Sequence, residues 1–311
     1  VDVGTNTVRL LVAGRDDGGG TVPLLRMRRI TAMGKALRAT GRIGADEFAA
    51  SLEALRSFRE AMDRLGVSAC RAVGTAAIRE AENGPAFLEA ARKAGIPLEE
   101  IDAREEASLA LRGVRHALRR EKGPFLLMDV GGGSTELVAG DGEGEMATLP
   151  IGVVVALAVH RLSDPPKPWE ARNLDLFYRE RAAAAAALLP RRRYRFLAGT
   201  AGSFTTLAAL DLRMDRYDPA RIDGHSMTLD RLVAWRDRLL GLTDAERLAL
   251  PGMEKGRERY IVPGTIQAAA VMERFRIRRL VVSDGGILEG ILAKMIDTNG
   301  HTKGVRTWKR A

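Results

Sequence analysis

Asp2-Val3-Gly4-Thr5-Asn6-Thr7-Val8-Arg9-Leu10 opens the chain, and Asp129-Val130-Gly131-Gly132-Gly133-Ser134-Thr135-Glu136-Leu137 restates it far downstream. Each copy reads as an apolar strand with Asp near its end, a turn of glycines and hydroxyls, and a second, alternating strand. Such a turn presents backbone N–H groups and hydroxyls to an anion, while the Asp offers a hard oxygen to a divalent cation. Either copy alone also reads as an ordinary glycine-rich hairpin. The recurrence of Asp at the same offset is what favours a pair of phosphate-holding corners facing each other across a cleft.

Commoner glycine loops do not fit. A dinucleotide fingerprint needs its glycines to open a helix, whereas Thr135-Glu136-Leu137-Val138-Ala139 and Thr7-Val8-Arg9-Leu10-Leu11-Val12 alternate as strands. There is no G-x-x-x-x-G-K-[ST], which excludes a P-loop, and no G-x-S-x-G, which leaves a serine-hydrolase elbow unsupported.

The 311 residues suffice for two domains, and 46% hydrophobic with 29% charged residues is the balance of a soluble globular protein. No apolar run approaches the roughly 20 residues of a membrane span, so no membrane partner is expected. The chain begins inside a strand without Met, from which we expect further residues upstream. A single Cys70, in an apparent strand Ala69–Val73, forbids an internal disulfide and fits a reducing, cytoplasmic setting. The net charge of +9, with a pI near 10.1, would concentrate a polyanion. Aromatics are only 5%, so specific nucleic-acid binding is not expected. The densest basic clusters, Arg191–Arg195 and Arg274–Arg279, read as solvated faces.

Strand, hairpin and strand run to about Arg29, with Asp16-Asp17-Gly18-Gly19-Gly20 as a turn. Phe48, Leu52, Leu55, Phe58, Met62 and Leu65 recur at steps of three and four and predict a helix. The second half repeats the plan, with strands at Phe125–Val130, Thr135–Ala139, Ala147–Pro150, Tyr194–Ala198 and Arg279–Ser283. The polar connector Arg119–Pro124 marks the expected boundary: residues 1–122 with a returning C-terminal helix from 287 to 311, then residues 123–286. Two such halves predict an α/β fold of two domains with an interdomain cleft.

Hydrolysing a phosphoanhydride requires anion neutralisation, a metal and a group that deprotonates water. Asp129 is the metal candidate, and Asp2, in the matching place, could hold a metal-bound water. Both also read as turn-capping residues. Glu105-Glu106 stands at a helix start as a candidate base, where acids also simply complement the helix dipole. Arg79, after Gly74-Thr75, could clamp a phosphate bidentately or face solvent. His225 has no partner spacing for zinc.

Taken together, these segments resemble the exopolyphosphatase / guanosine pentaphosphate phosphohydrolase (Ppx/GppA) family. The resemblance rests on Asp2–Leu10, Gly74–Asn83, Glu105-Glu106-Ala107, Asp129–Thr135, Gly199–Thr206 and Val282-Ser283-Asp284. It implies two actin-like domains, of the superfamily of sugar kinases and heat-shock ATPases with ribonuclease H-like topology. Carried over position by position, it implies that Glu106 is the general base and that Asp129 binds Mg²⁺. The turns Gly4, Thr5, Asn6, Thr7 and Gly131, Gly132, Gly133, Ser134, Thr135 would hold the phosphates, with Arg79. The substrate implied is inorganic polyphosphate, attacked by water at the terminal phosphorus, with guanosine pentaphosphate (pppGpp) the alternative. The chain departs from the pattern at Ser108, where Arg is common, and at Ala201, where Gly is usual. Val154-Val155-Ala156 lacks a basic residue, and an Asp is missing near Arg259-Tyr260. The chain ends without the extension of long members and resembles the short branch, for which a homodimer is expected. Rival readings are phosphoryl transfer from ATP, against which the Glu105-Glu106-Ala107 segment argues, and a non-catalytic polyphosphate or alarmone sensor.

Overall fold

The computed structural model describes residues 1–15, 21–140 and 145–299; the expected turn at residues 16–20 lies outside them. The chain divides into two compact units, Val1–Leu109 with the segment from Ile287, and Ala110–Gly286.

In the first unit the described strands are β1 (Asp2–Val3), β2 (Thr7–Arg15), β3 (Thr21–Ile30), β4 (Ala72–Gly74) and β5 (Leu98–Glu100), ordered β3-β2-β1-β4-β5. β1, β2 and β3 form an antiparallel meander, while β4 and β5 join parallel to β1. Alternation sets the core face: Val8, Leu10 and Val12 are buried while Arg9 and Leu11 are half-buried. Between β3 and β4 come α1 (Leu37–Thr40) and α2 (Ala45–Arg64). α2 carries the predicted stripe; Ala54, Leu55, Phe58, Ala61 and Met62 are buried, and Asp46 and Glu47 complement its positive end. A wholly buried side chain such as Phe58 contributes roughly 2–3 kcal/mol by leaving water. α3 (Ala76–Glu80) and α4 (Gly84–Lys93) separate β4 from β5, and α5 (Ala103–Ala117) follows β5.

The second unit uses the same plan. It contains β6 (Phe125–Val130), β7 (Thr135–Ala139), β8 (Met146–Leu149), α6 (Val153–His160) and α7 (Pro168–Leu188). After these come β9 (Phe196–Thr200), α8 (Gly202–Asp211), α9 (Pro219–Ile222), β10 (Ser226–Thr228), α10 (Leu229–Leu240), α11 (Asp244–Leu248), α12 (Ile261–Arg274) and β11 (Arg279–Val282). The described sheet is ordered β10-β11-β9-β6-β7-β8. Again an antiparallel meander (β6, β7, β8) is joined by parallel strands (β9, β11). β6 is apolar almost throughout because it lies between β7 and β9 within the core. α12 is buried from Ile261 to Met272. The last helix, α13 (Ile287–Asn299), packs into the first unit, where Ile287 and Ile291 meet Val73, Ile101 and Leu109.

The fold is therefore the expected α/β class, with one mixed sheet in each unit. Two local expectations shift. The strand placed at Ala69–Val73 begins only at Ala72, leaving Cys70 outside it and half-buried. The strand placed at Tyr194–Ala198 begins at Phe196 and runs to Thr200, because the polar run before it pairs with nothing in the sheet.

Candidate active site

In each unit the chemistry-bearing residues collect at the carboxyl ends of the parallel strands, where open α/β sheets present their ligand sites. In the first unit the Gly4–Thr7 turn follows β1, Thr75 follows β4, and Ile101-Asp102 follow β5. Register joins them: Val3 lies opposite Gly74, Gly74 opposite Glu100, and Thr75 N donates to Val3 O at 3.1 Å.

The two repeated turns are built alike. Gly4 N donates to Thr7 O at 3.1 Å, and Gly131 N donates to Ser134 O at 3.0 Å. Their carbonyls are engaged by neighbouring backbone. Thr5 O accepts from Gly34 N at 2.8 Å, and Asn6 O accepts from Thr31 N and Ala32 N, both at 3.1 Å. Gly133 O, Gly131 O and Gly132 O accept from Gly152, Val153 and Val154 N–H at the start of α6, at 2.7, 3.0 and 3.0 Å. Residue 152 must be glycine for this approach, since a Cβ there would strike the backbone of Gly131 and Gly132. The tip amides of Thr5, Asn6, Gly132 and Gly133 donate to no protein group among the described residues. The Asn6 side chain is 6% exposed, and neither amide atom has a partner among the described residues. A buried amide left in that state calls for a polar ligand. Ser134 is buried. Thr135, in contrast, lies in the core, its hydroxyl 3.1 Å from Gln267 Oε1 and 3.2 Å from Ile151 O.

The repeats differ in the residue beside each Asp. Asp2 lies across the strand from Arg9, whose Nε donates to its Oδ2 at 2.7 Å. Asp129 lies across from Glu136 in the equivalent register and beside Thr200 of β9. One Asp thus has a cation for its cross-strand neighbour and the other a second, buried carboxylate. Sequence reading passed over both Arg9 and Glu136 as site residues, although each stands at the same offset from its Asp.

Among the described residues no three His, Cys, Asp or Glu side chains form a closed cation cage. Mg²⁺ does not demand one, since it is usually held by one or two carboxylates together with substrate phosphates. The Asp129–Glu136 pairing suits that donor set. Asp2 suits it less, because Arg9 already offsets its charge.

The adjacent glutamates of α5 occupy different surroundings. Asp102 Oδ1 accepts from Glu105 N at 2.7 Å at the helix start. Glu105 accepts from Arg71 at 2.8 Å and Lys294 at 3.0 Å, and these two bonds hold its carboxyl below the usual carboxylate range. Glu106, a hundred degrees around the helix, has Arg79 at 3.7 Å. Arg79 is steadied by Ile101 O, to which it donates at 2.9 Å.

In the second unit the strand ends also bring Gly199–Thr206 beside Ser283–Gly286: Thr200 Oγ1 donates to Gly285 O at 2.9 Å. Ala201 occupies φ 69°, ψ −178°, a conformation almost reserved for glycine. Burial raises the Asp223 carboxyl, which accepts from Asp284 N at 2.7 Å and so organises the loop after β11.

The Ppx/GppA phosphatase family model matches residues 11–299. Exopolyphosphatase 2 of Mycobacterium tuberculosis is 34% identical, covering 94% of this chain and 96% of its own. The crystal structure of the Aquifex aeolicus Ppx/GppA family member matches at a TM-score of 0.82 with 30% identity, covering 97% of each chain. An exopolyphosphatase from Cytophaga hutchinsonii matches at 0.86 with 26% identity, covering 96% of each. No helix among the described residues is long and apolar enough to cross a membrane. The second Asp–glycine turn and the Glu105–Glu106 helix start stand within the residues that the family model matches, and the chain belongs to the Ppx/GppA phosphatase family.

Proposed function

We propose that the protein is an exopolyphosphatase, hydrolysing the terminal phosphoanhydride bond of inorganic polyphosphate. The similarity to Exopolyphosphatase 2 supports the substrate class. The observation that carries the chemistry is the division between two neighbouring glutamates. Glu105 is held by Arg71 and Lys294, whereas Glu106 stands beside Arg79, a residue suited to gripping a phosphate.

Glu106 takes a proton from water as the water oxygen bonds to the terminal phosphorus. The bridging P–O bond breaks in line, and its oxygen becomes the new chain end. Orthophosphate and a chain one unit shorter leave. Arg79 clamps the transferring phosphoryl oxygens while keeping its bond to Ile101 O. Within the first unit the amides of Thr5 and Asn6 with Asn6 Nδ2, and within the second those of Gly132 and Gly133 with Ser134 Oγ, are donors held in place by their own turns and suited to phosphate oxygens. Asp129 and Glu136 would hold Mg²⁺, which would supply charge neutralisation on the phosphate oxygens when bound; Asp2, paired to Arg9, would orient a water at the first turn. The Thr7 carbonyl closes its turn by accepting from Gly4 N, and the Thr135 hydroxyl is held in the core by Ile151 O and Gln267.

Glu106→Gln keeps the side chain's shape and removes the base. Phosphate release should fall by roughly 10²–10⁴-fold with polyphosphate binding little changed. The assay is orthophosphate release from long polyphosphate and from guanosine pentaphosphate, each with and without Mg²⁺. Wild-type turnover in the variant removes Glu106 from the mechanism, and release from the nucleotide alone reassigns the substrate.

A further inference from the structure

The two arginine clusters read from the sequence as solvated faces meet in the second unit. β6, β9 and β11 are mutually parallel, so the segments entering them share one edge of the sheet, opposite to the Asp129 turn. Arg119, Arg120 and Lys122 precede β6. Arg191, Arg193 and Arg195 precede β9, and Arg276 and Arg278 precede β11. All eight side chains are exposed.

Specific contacts hold the three segments together. Arg195 N donates to Pro124 O at 2.8 Å, and the Arg195 side chain lies over Gly123, where a Cβ would strike it. Phe125 stacks on Phe196 at 5.2 Å, and Arg279 covers the Phe196 ring at 5.1 Å. Tyr194 meets Phe275 edge-on at 5.9 Å, tying the second segment to the third.

Among the described residues the acids nearby are already engaged. Glu121 pairs with Arg279 at 2.6 Å, Glu145 with Arg192 at 4.0 Å, and Glu273 with Arg179 at 2.5 Å. None of the eight exposed cations makes an ion pair among the described residues. A cluster of like charges on a folded surface is costly without a counterion. Guanidinium groups are also the side chains best matched to phosphate oxygens.

We propose that this edge is a second polyanion site, which holds the interior of a long polyphosphate chain whose end is being hydrolysed elsewhere. The proposal rests on the polyphosphate reading above. β6 has six residues, so the arginine edge lies about 20 Å from the Asp129 turn. It therefore serves a long chain and not the terminal phosphate. Inorganic polyphosphate fits better than single-stranded nucleic acid, because among the described residues the rings at this edge are packed against one another and do not stand open for a base to stack on. Tyr194 and Phe196 are 3% and 1% exposed, and Phe125 and Phe275 face them.

The test measures equilibrium binding in the Glu106→Gln protein, so that no hydrolysis intervenes, using long-chain polyphosphate, tripolyphosphate and a single-stranded RNA. Arg191→Gln/Arg193→Gln/Arg278→Gln is compared with Arg56→Gln/Arg64→Gln/Arg92→Gln, an equal charge change on the first unit. The first triple variant should weaken long-chain binding roughly tenfold, a few-fold for each exposed contact. It should also flatten the salt dependence by about 2 in log–log slope. Tripolyphosphate binding should stay the same. Unchanged long-chain affinity overturns the proposal, as does equal loss on both chain lengths or equal loss in the control variant. Tighter binding of RNA through the same arginines assigns the edge to nucleic acid instead. If the wild type releases no phosphate yet binds polyphosphate through these arginines, the proposed reaction fails while this site stands.

Discussion

Replacing Ala201 by Gly should stabilise the protein, although the same change a few residues further on should do the opposite. Ala201 links β9 to α8, and its carbonyl accepts from Phe204 N and Thr205 N at 3.2 and 3.1 Å, so the residue cannot leave its conformation without losing the first turn of the helix. At φ 69°, ψ −178° an L side chain is strained by about 1–3 kcal/mol. Glycine removes that strain and returns about 0.4–1 kcal/mol through the greater freedom of the unfolded chain. The net gain is about 1 kcal/mol, or roughly 2–4 °C in the melting temperature of a unit this size. Ala208, wholly buried within α8, is the control. Ala208→Gly forfeits about 1 kcal/mol of helix propensity and about 0.8 kcal/mol for the lost methyl. Urea midpoints and thermal melts of both variants read the two signs. Destabilisation in both refutes the backbone argument and means that the Ala201 methyl makes contacts outweighing its strain.

Glu105→Gln should separate the paired glutamates from the other side. It loses the Arg71 and Lys294 contacts and up to about 1 kcal/mol of stability, discounted for partial exposure, while phosphate release stays within a few-fold of wild type. A loss of turnover as deep as that of Glu106→Gln would show that the pair acts as one group. Asp211 gathers Arg231 Nε at 2.6 Å, Trp235 Nε1 at 2.7 Å and His225 Nε2 at 2.9 Å. Burial pushes its carboxyl up, but the bonds from Trp235, Arg231 and His225 prevail and leave it below its ordinary value. A folded-state value lowered in this way contributes stability above the unfolded value, which is lost as pH falls through the folded one. Asp211→Asn should therefore cost about 1–2 kcal/mol at neutral pH. It should also make stability less steep in pH below about 4; an unchanged acid limb in a pH series of urea melts counts against the triad.

The elements themselves were legible because their signals are local. The stripe from Phe48 to Leu65 and the alternation in Val8-Arg9-Leu10 each reflect one repeating geometry, and both elements form where expected. Strand starts were less legible. Ala69–Val73 and Tyr194–Ala198 carry β-forming residues, yet pairing begins two or three residues later, where a neighbouring strand supplies partners.

By itself, the sequence determined the duplicated α/β plan, the placement of an Asp–glycine turn in each half and the pair of glutamates opening one helix. The resemblance singled out Glu106, but only tertiary structure gave the two glutamates different partners, since Lys294 reaches Glu105 from the opposite end of the chain. It likewise set Arg9 beside one Asp and Glu136 beside the other, and gathered three distant arginine segments at one sheet edge. Periodicity records which way a side chain faces within its own element. The charge that stands next to it is decided by strand register and by helix return, which bring together residues with no neighbourhood in sequence.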